Sequence, residues 1–526
     1  MDAKSCVTNP LKTDVTRRGL LKASAAIGAV AFLGSGVSFA QEGKILRVRA
    51  RVDIQNLDPA FRLTSGDTDA IGCLFASLAT FKTGDEWGWR PYAAKTLTVI
   101  DDTHVGFELH PGLMFSDGFG EMTAEDVKFS YERFIDPGLK SPFSKDWAQL
   151  DRVDVKDKYS GVIVLKAPFA PLWTSTLPTV SSSILSKKAL EKAGGKYTTQ
   201  PPATCGPYTI KKWEPKTELV LARNPDWKLT PVGFDEIHIM PIDDDKTAEL
   251  GLESGSLDFT LTSISSIPRY LKAVPDGITF ARKPSLSYAW IGLNQENPAL
   301  ADERVRRAIQ YAVDRAAVVD AAYLGAAETA TGIIAPGLVG HREKNLFDHD
   351  PEKAKALLDE AGVKNLSLTI SVLNKAERVA AAQMVQANLA EIGVTAEVQP
   401  YDSATFWTLG SEKDGTQWKD LQLIINDFVM QPDPSWATAW FTPDQIGTWN
   451  WERFRNEEYG KLNQQGLAEL DNVKRNEIYI KMQDLMEQSG SYIFLTHEAT
   501  GVLCAKTVKP SLRPDGLPLY AGFSPA

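Results

Sequence analysis

Asp243-Asp244-Asp245, and His341 and His349 around an acidic segment, are the residues whose types and spacing could hold a cation. Neither group closes a site. The three Asp stand before Lys246 and fit the acidic first turn of a helix. The two His fit a solvated loop. The six His (His104, His110, His238, His341, His349 and His497) are scattered, none beside a Cys and no two at helical i, i+4 spacing. No GxSxG elbow, HExxH, GxxxxGK(S/T) loop or GxGxxG is present. A triad can assemble from distant positions without a sequence trace, but nothing positive supports one. The expectation is no catalytic set, no metal site and no cofactor.

Asn426-Asp427-Phe428-Val429-Met430-Gln431-Pro432-Asp433-Pro434-Ser435-Trp436 carries two acids. Trp436, Trp440, Trp449 and Trp451 follow within sixteen residues. Aromatic rings pack apolar side chains and hold cations over their faces. Asp427, at a strand end, fits a residue that caps a loop. Asp433, before a proline, fits a turn.

The N-terminus is the most specific local signal. Thr16-Arg17-Arg18-Gly19-Leu20-Leu21-Lys22 precedes an Ala/Gly-rich apolar stretch, Ala23 to Val37, and then Ser38-Phe39-Ala40, a small-x-Ala cleavage site. The paired arginines predict a twin-arginine signal peptide over 1–40. The apolar stretch is too short and too weakly hydrophobic for a membrane span. The expected location is the periplasm. Removing 1–40 leaves 52 basic and 65 acidic residues, net −13. An acidic chain with no basic cluster is a poor partner for nucleic acid. Cys73, Cys205 and Cys504 remain, too widely spaced for zinc, and allow at most one internal disulfide or three buried thiols.

The elements that must position these residues follow from pattern. The 526 residues, 43% hydrophobic and 24% charged, imply more than one core. Alternation predicts strands over 45–50, a pair around 96–110, a two-stranded stretch from Gly206 to about Ala222, and further strands over 235–241 and 285–294. Thr123-Ala124-Glu125-Asp126 predicts a capped helix start. Asp302 caps a helix carrying Val305, Ala308, Ile309, Ala312 and Val313 on one face. Asp350-Pro351 starts another, which Gly362 stops. Helices are also predicted over 376–392 and 472–487, with strands at 366–373, 394–400 and 421–426 between them. Strand alternating with helix indicates α/β layers.

Several blocks, in this order, resemble one family. They are Glu108-Leu109-His110-Pro111-Gly112-Leu113-Met114-Phe115-Ser116-Asp117-Gly118 with Thr123-Ala124-Glu125-Asp126-Val127; Thr204-Cys205-Gly206-Pro207-Tyr208 with Arg223-Asn224-Pro225-Asp226-Trp227; and Phe234-Asp235-Glu236-Ile237 with Glu253-Ser254-Gly255-Ser256-Leu257-Asp258. Ile291-Gly292-Leu293-Asn294 with Arg304-Val305-Arg306-Arg307-Ala308-Ile309 and Ala312-Val313-Asp314-Arg315 comes next, then Ala354-Lys355-Ala356-Leu357-Leu358 with Ala361-Gly362. The set is similar to the family 5 extracytoplasmic solute-binding proteins of ABC importers, the peptide- and nickel-binding type.

The resemblance implies an α/β, periplasmic binding protein-like fold of the cluster C type. Two lobes are joined by hinge strands, and lobe I carries an added domain. On this chain lobe I would be 41–79, 179–288 and 497–526, the added domain 80–178 and lobe II 289–496. The implied function is capture of a small peptide or peptide-like solute by a monomer that delivers it to an ABC permease and ATPase complex. A cationic or amphipathic non-peptide solute is the first alternative; an exported hydrolase or an envelope holdase come after it. The implied ligand-binding residues are Asp427, Trp290, Trp436, Phe143 and Trp440. In peptide-binding relatives an amine-binding acid stands three residues before an acid-Pro pair. Here that offset falls on Met430, while Asp427 lies six before Asp433. Nickel is disfavoured, because no His falls in the segments expected to line the cleft.

Overall fold

The computed structural model describes residues 43–526. The proposed signal segment 1–40 lies outside the described residues. No described helix is long and apolar enough to cross a membrane.

The architecture is set by one eleven-stranded sheet. Its first part runs Tyr208–Glu214, Glu218–Arg223, Glu236–Pro241, Ile45–Ala50, Phe259–Thr262. Its second part runs Leu423–Val429, Ser367–Leu373, Thr395–Tyr401. Two long antiparallel strands, Tyr492–Ala505 and Ile278–Leu293, lie between and belong to both parts, and the short Ala327–Thr329 pairs with Tyr492–Ala505 as the eleventh strand. Their outer ends pair as Ile278 with Ala505 and Gly292 with Tyr492.

The pairing of these two strands breaks at one place. Pro284 faces Ala499 and Tyr288 faces His497, so Ser285, Leu286 and Ser287 stand against Glu498 alone. A second irregularity follows, where Ala289 faces Thr496 and Trp290 faces Phe494. Bulges of this kind bend a strand pair and re-aim its side chains. The sequence predicts a strand only from Ser285. The extra turn-out, Ile278–Pro284, carries Arg282, Lys283 and Pro284 and has no clean alternation. Pro284 is tolerated because it sits at the register break.

A separate four-stranded antiparallel sheet has the order Ala94–Asp101, His104–Leu109, Ser160–Leu165, Leu150–Val155. Helix Ala124–Ile135 packs on it. Val105, Phe107, Tyr131 and Ile163 of this layer share one buried core with Leu46, Val48 and Ile237 of the large sheet. The helix begins as expected, with the Asp126 carboxylate accepting the Thr123 amide at 2.9 Å and its hydroxyl at 2.8 Å. The hydroxyl therefore donates here.

The second part of the large sheet has a core on each face. One face packs helices Glu303–Ala312, Arg315–Tyr323, Pro351–Glu360 and Ala376–Glu391 through Val305, Ile309, Leu358, Val385 and Leu389 against Ile291, Ile370 and Ile425. Gly362 ends one of these helices with φ +67°, as a C′ glycine should. The other face holds an aromatic core of Tyr288, Trp290, Phe441, Phe454, Tyr459, Tyr479 and Tyr492. The predicted acidic turn is present, with Asp244 accepting from the Thr247 amide at 2.7 Å to cap Asp245–Glu253. The apolar stretch 71–81 divides into the end of helix Ser65–Leu74 and the strand Ala79–Phe81. Cys73, Cys205 and Cys504 are buried free thiols. Burial pushes Cys205 and Cys504 each up to about 12, so neither is an available thiolate.

Candidate functional site

Strands Ser367–Leu373, Thr395–Tyr401 and Leu423–Val429 are parallel, and their carboxyl ends all meet one edge. Ligands of open α/β sheets bind outside that edge. Asp427, Phe428 and Val429 end the third strand there.

Register decides which way each residue faces. Asp427 lies opposite Ala289, Phe428 opposite Tyr288 and Asn426 opposite Trp290. Directly opposed residues share a face. Phe428 therefore points with Tyr288 and Trp290 into the aromatic side, and Asp427 points to the helical side. Asp427 and Trp290, both expected from sequence, thus lie on opposite faces of the sheet.

On the helical side, Arg378 Nε approaches Asp427 Oδ1 at 3.3 Å. The same guanidinium donates to Glu498 and to the Tyr323 hydroxyl. Glu498 also accepts from Ser287 Oγ at 3.0 Å. Arg378 is 1% exposed, whereas the Asp427 and Glu498 side chains are 17% and 14% exposed. Two carboxylates against one guanidinium leave a formal surplus of one negative charge, at the register break of the long strands.

On the aromatic side, Phe428 stands at a junction. Its ring lies 5.0 Å from Trp290, 6.0 Å from Trp440 and 6.0 Å from Trp449. Trp440 is 5.8 Å from Trp449 and 6.4 Å from Trp436. Phe428, Val429, Trp440 and Trp449 line a pocket of about 140 Å³. Trp290 is fully buried behind it and gives its indole N–H to Glu452 Oε1 at 2.7 Å. Burial raises the Glu452 carboxyl to about 7. Met430, at the offset of the family's amine-binding acid, is buried in this same aromatic core.

The turn after Val429 joins the two parts of the molecule. Asp433 Oδ1 accepts from the Ser435 amide at 3.0 Å and its hydroxyl at 2.6 Å, the expected turn role. It also accepts from Arg475 Nη2 at 2.9 Å. Oδ2 accepts from Thr174 Oγ1 at 2.5 Å. Thr174 lies beyond the four-stranded sheet, in the turn Leu172–Thr176, where Trp173 stacks on Trp89 at 4.9 Å. Close by, the Ala170 amide donates to the Leu467 carbonyl at 2.9 Å. Phe143, from the same side, is half-buried under the Arg62 guanidinium, 3.5 Å from the ring centroid.

The two His expected in a solvated loop separate. His349 is exposed. His341 is half-buried, with Nδ1 2.8 Å from the Ile334 carbonyl and its ring 5.7 Å from that of His497. His497 is buried beside the register break, and burial lowers it to about 3. No cluster of three or more metal-ligating side chains occurs among the described residues. Arg378, Arg475, Glu452 and Phe428 were not expected from sequence. Phe428 lies in the segment singled out from sequence, but beyond the strand predicted there, which ends at Asn426.

Two α/β parts bridged by two shared strands, with an extra antiparallel layer on the first part, define a two-lobed periplasmic binding protein-like fold. The solved structure of the ABC transporter substrate-binding protein CtaP from Listeria monocytogenes has this fold. It superposes with a TM-score of 0.79 at 21% identity, covering 92% of this chain and 99% of that one. The family described as bacterial extracellular solute-binding proteins, family 5 Middle, matches residues 89–448, and the chain belongs to it. Among relatives, the probable D,D-dipeptide-binding periplasmic protein DdpA of Escherichia coli K12 is 25% identical over 484 residues, 88% of this chain and 90% of the relative. The glutathione-binding protein GsiB of the same strain is 26% identical over 500 residues, 92% and 94% of the two chains.

Proposed function

We propose that this chain is the substrate-binding component of an ABC importer, acting in the periplasm on a small peptide or peptide-like solute. The observation that carries the reading is the pair of long strands shared by both parts of the sheet, broken in register at Ser285–Ser287 and Glu498. A bend there lets two rigid bodies close on a solute. Relatives over nearly the whole chain bind a dipeptide and glutathione, by their names.

In this reading lobe I is 41–79, 179–288 and 497–526, with 80–178 added to it, and lobe II is 289–496. The register break falls where these boundaries meet. The solute is held from lobe II by Trp436 and Trp440, with Trp290 backing them through Phe428, and from the added domain by Phe143. The surplus negative charge of Asp427 and Glu498 draws an amine end toward the hinge. Contacts with both lobes stabilise the closed form by no more than their difference in affinity for the two states. Enclosure removes most of a small solute from water. A permease then reads the closed shape. The protein works as a monomer, without nucleic acid and without bond chemistry.

A melting screen of the mature protein against di- to pentapeptides and small cationic metabolites tests this. One solute class should stabilise saturably, by about 2.7 kcal/mol at a hundredfold excess over Kd. Steady hydrolysis of a library member, with no saturable stabilisation, would instead indicate an exported hydrolase.

Delivery by the twin-arginine route is part of the reading, motivated by Arg17-Arg18. Arg17→Lys with Arg18→Lys keeps the charge and removes the pair. Mature protein should then be missing from the periplasmic fraction on an immunoblot; its presence at wild-type level would identify a Sec-type signal.

A further inference from the structure

We infer that the pocket formed by Phe428, Trp440 and Trp449 takes a quaternary ammonium group of the solute. The inference rests on the solute-binding reading above and names one part of the ligand.

The three rings are steeply inclined to one another. Phe428 and Trp449 make an angle of 82°, Trp440 and Trp449 71°, and Phe428 and Trp440 61°. Their centroids are spaced 5.8 to 6.0 Å apart. Rings so inclined make an open corner, and indole has the strongest cation-binding face of the aromatic side chains. The pocket, about 140 Å³, is smaller than the roughly 300–1,000 Å³ that encloses a whole small-molecule ligand. It therefore fits one group of a solute.

The lining decides which group. Among the described residues, Arg and Lys side chains lie over fourteen aromatic rings, but over none of Phe428, Trp440 or Trp449. These faces are free of a protein cation. An ordinary ammonium would bring N–H groups needing acceptors, and no lining side chain offers one: indole N–H groups only donate. A quaternary ammonium has no N–H to satisfy. The same rings also pack apolar groups, so the charge is tested against a neutral group of the same shape; Val429, the aliphatic member of the lining, is 69% exposed at the rim. The carboxylate surplus of Asp427 and Glu498 lies on the other face of the same strand and adds a favourable field without direct contact.

The probe pair is choline and 3,3-dimethylbutan-1-ol, which have the same shape with and without the charge. Each is titrated into the full mature protein by calorimetry and by tryptophan fluorescence. Choline should bind saturably and about tenfold or more tightly than the neutral alcohol, a difference of ~1.4 kcal/mol. Trp449→Leu should lose that preference while melting as wild type does, because Trp449 is 36% exposed. Trp449→Phe should keep part of it. Equal or tighter binding of the alcohol would make the pocket an apolar one and overturn the inference. So would no saturable binding of choline by a protein that a peptide still stabilises, an outcome that leaves the solute-binding reading standing.

Discussion

Asp433→Asn is expected to lower the free energy of unfolding by ~3–5 kcal/mol. Asp433 and Arg475 are 0% and 1% exposed and lie 2.9 Å apart, so the substitution leaves a guanidinium buried without its counter-charge. Arg475 keeps the Gly466 carbonyl at 2.8 Å, a neutral acceptor that does not replace a carboxylate. The geometry of the turn survives, since Asn can still accept from the Ser435 amide. Urea unfolding of the mature protein measures the loss. Arg475→Met in the Asp433→Asn background should recover much of it, because removing both charges spares the desolvation of one alone. A loss under about 1 kcal/mol would show that water reaches the pair.

The second large effect is on affinity. Asp427→Asn should weaken a cationic solute by roughly 2–5 kcal/mol, at least about thirtyfold. The argument is charge count. Arg378 serves Asp427, Glu498 and Tyr323 together, so one of the two partly exposed carboxylates is uncompensated and available to an ammonium. The Asn variant leaves Arg378 and Glu498 as a balanced pair, and stability should change by no more than about 1 kcal/mol. Calorimetric titration of the solute found in the melting screen, into wild type and variant, separates this from a purely structural role. Equal affinities would confine Asp427 to holding the hinge.

The sequence carried the local half of this account. Asp302, Asp350 and Gly362 place helix ends where the chain has them. Alternation placed Ile45–Ala50 and Glu236–Pro241, which pair with each other over their whole length. The resemblance supplied the two-lobed fold. What it left open is long-range. Asp427 and Arg378 are 49 residues apart, Trp290 and Glu452 162, and Thr174 and Asp433 259. No periodicity links such positions.

The division of Asp427 from Phe428 shows the limit most clearly. Both stand in one segment, and of the two only Asp427 is expected at the site. Adjacent residues of a strand point to opposite faces, so the segment contributes to a charged cluster on one side and an aromatic one on the other. Alternation within Leu423–Val429 contained that fact; the identity of what covers each face did not follow from it. The sequence also ended this strand at Asn426, three residues short of the carboxyl end that reaches the proposed cleft.

The central claim is that solute draws the two parts of the sheet together about the broken register of the long strands. Small-angle scattering of the mature protein, with and without the solute that stabilises it, tests that most directly. Thr174 with Asp433 and Ala170 with Leu467 join the added layer to the second part of the sheet; we propose that these contacts form on closure and that solute-free protein populates more open arrangements. The account predicts a smaller radius of gyration on saturation, with Thr174→Val needing more solute to reach it. Saturable binding with an unchanged scattering profile would contradict it.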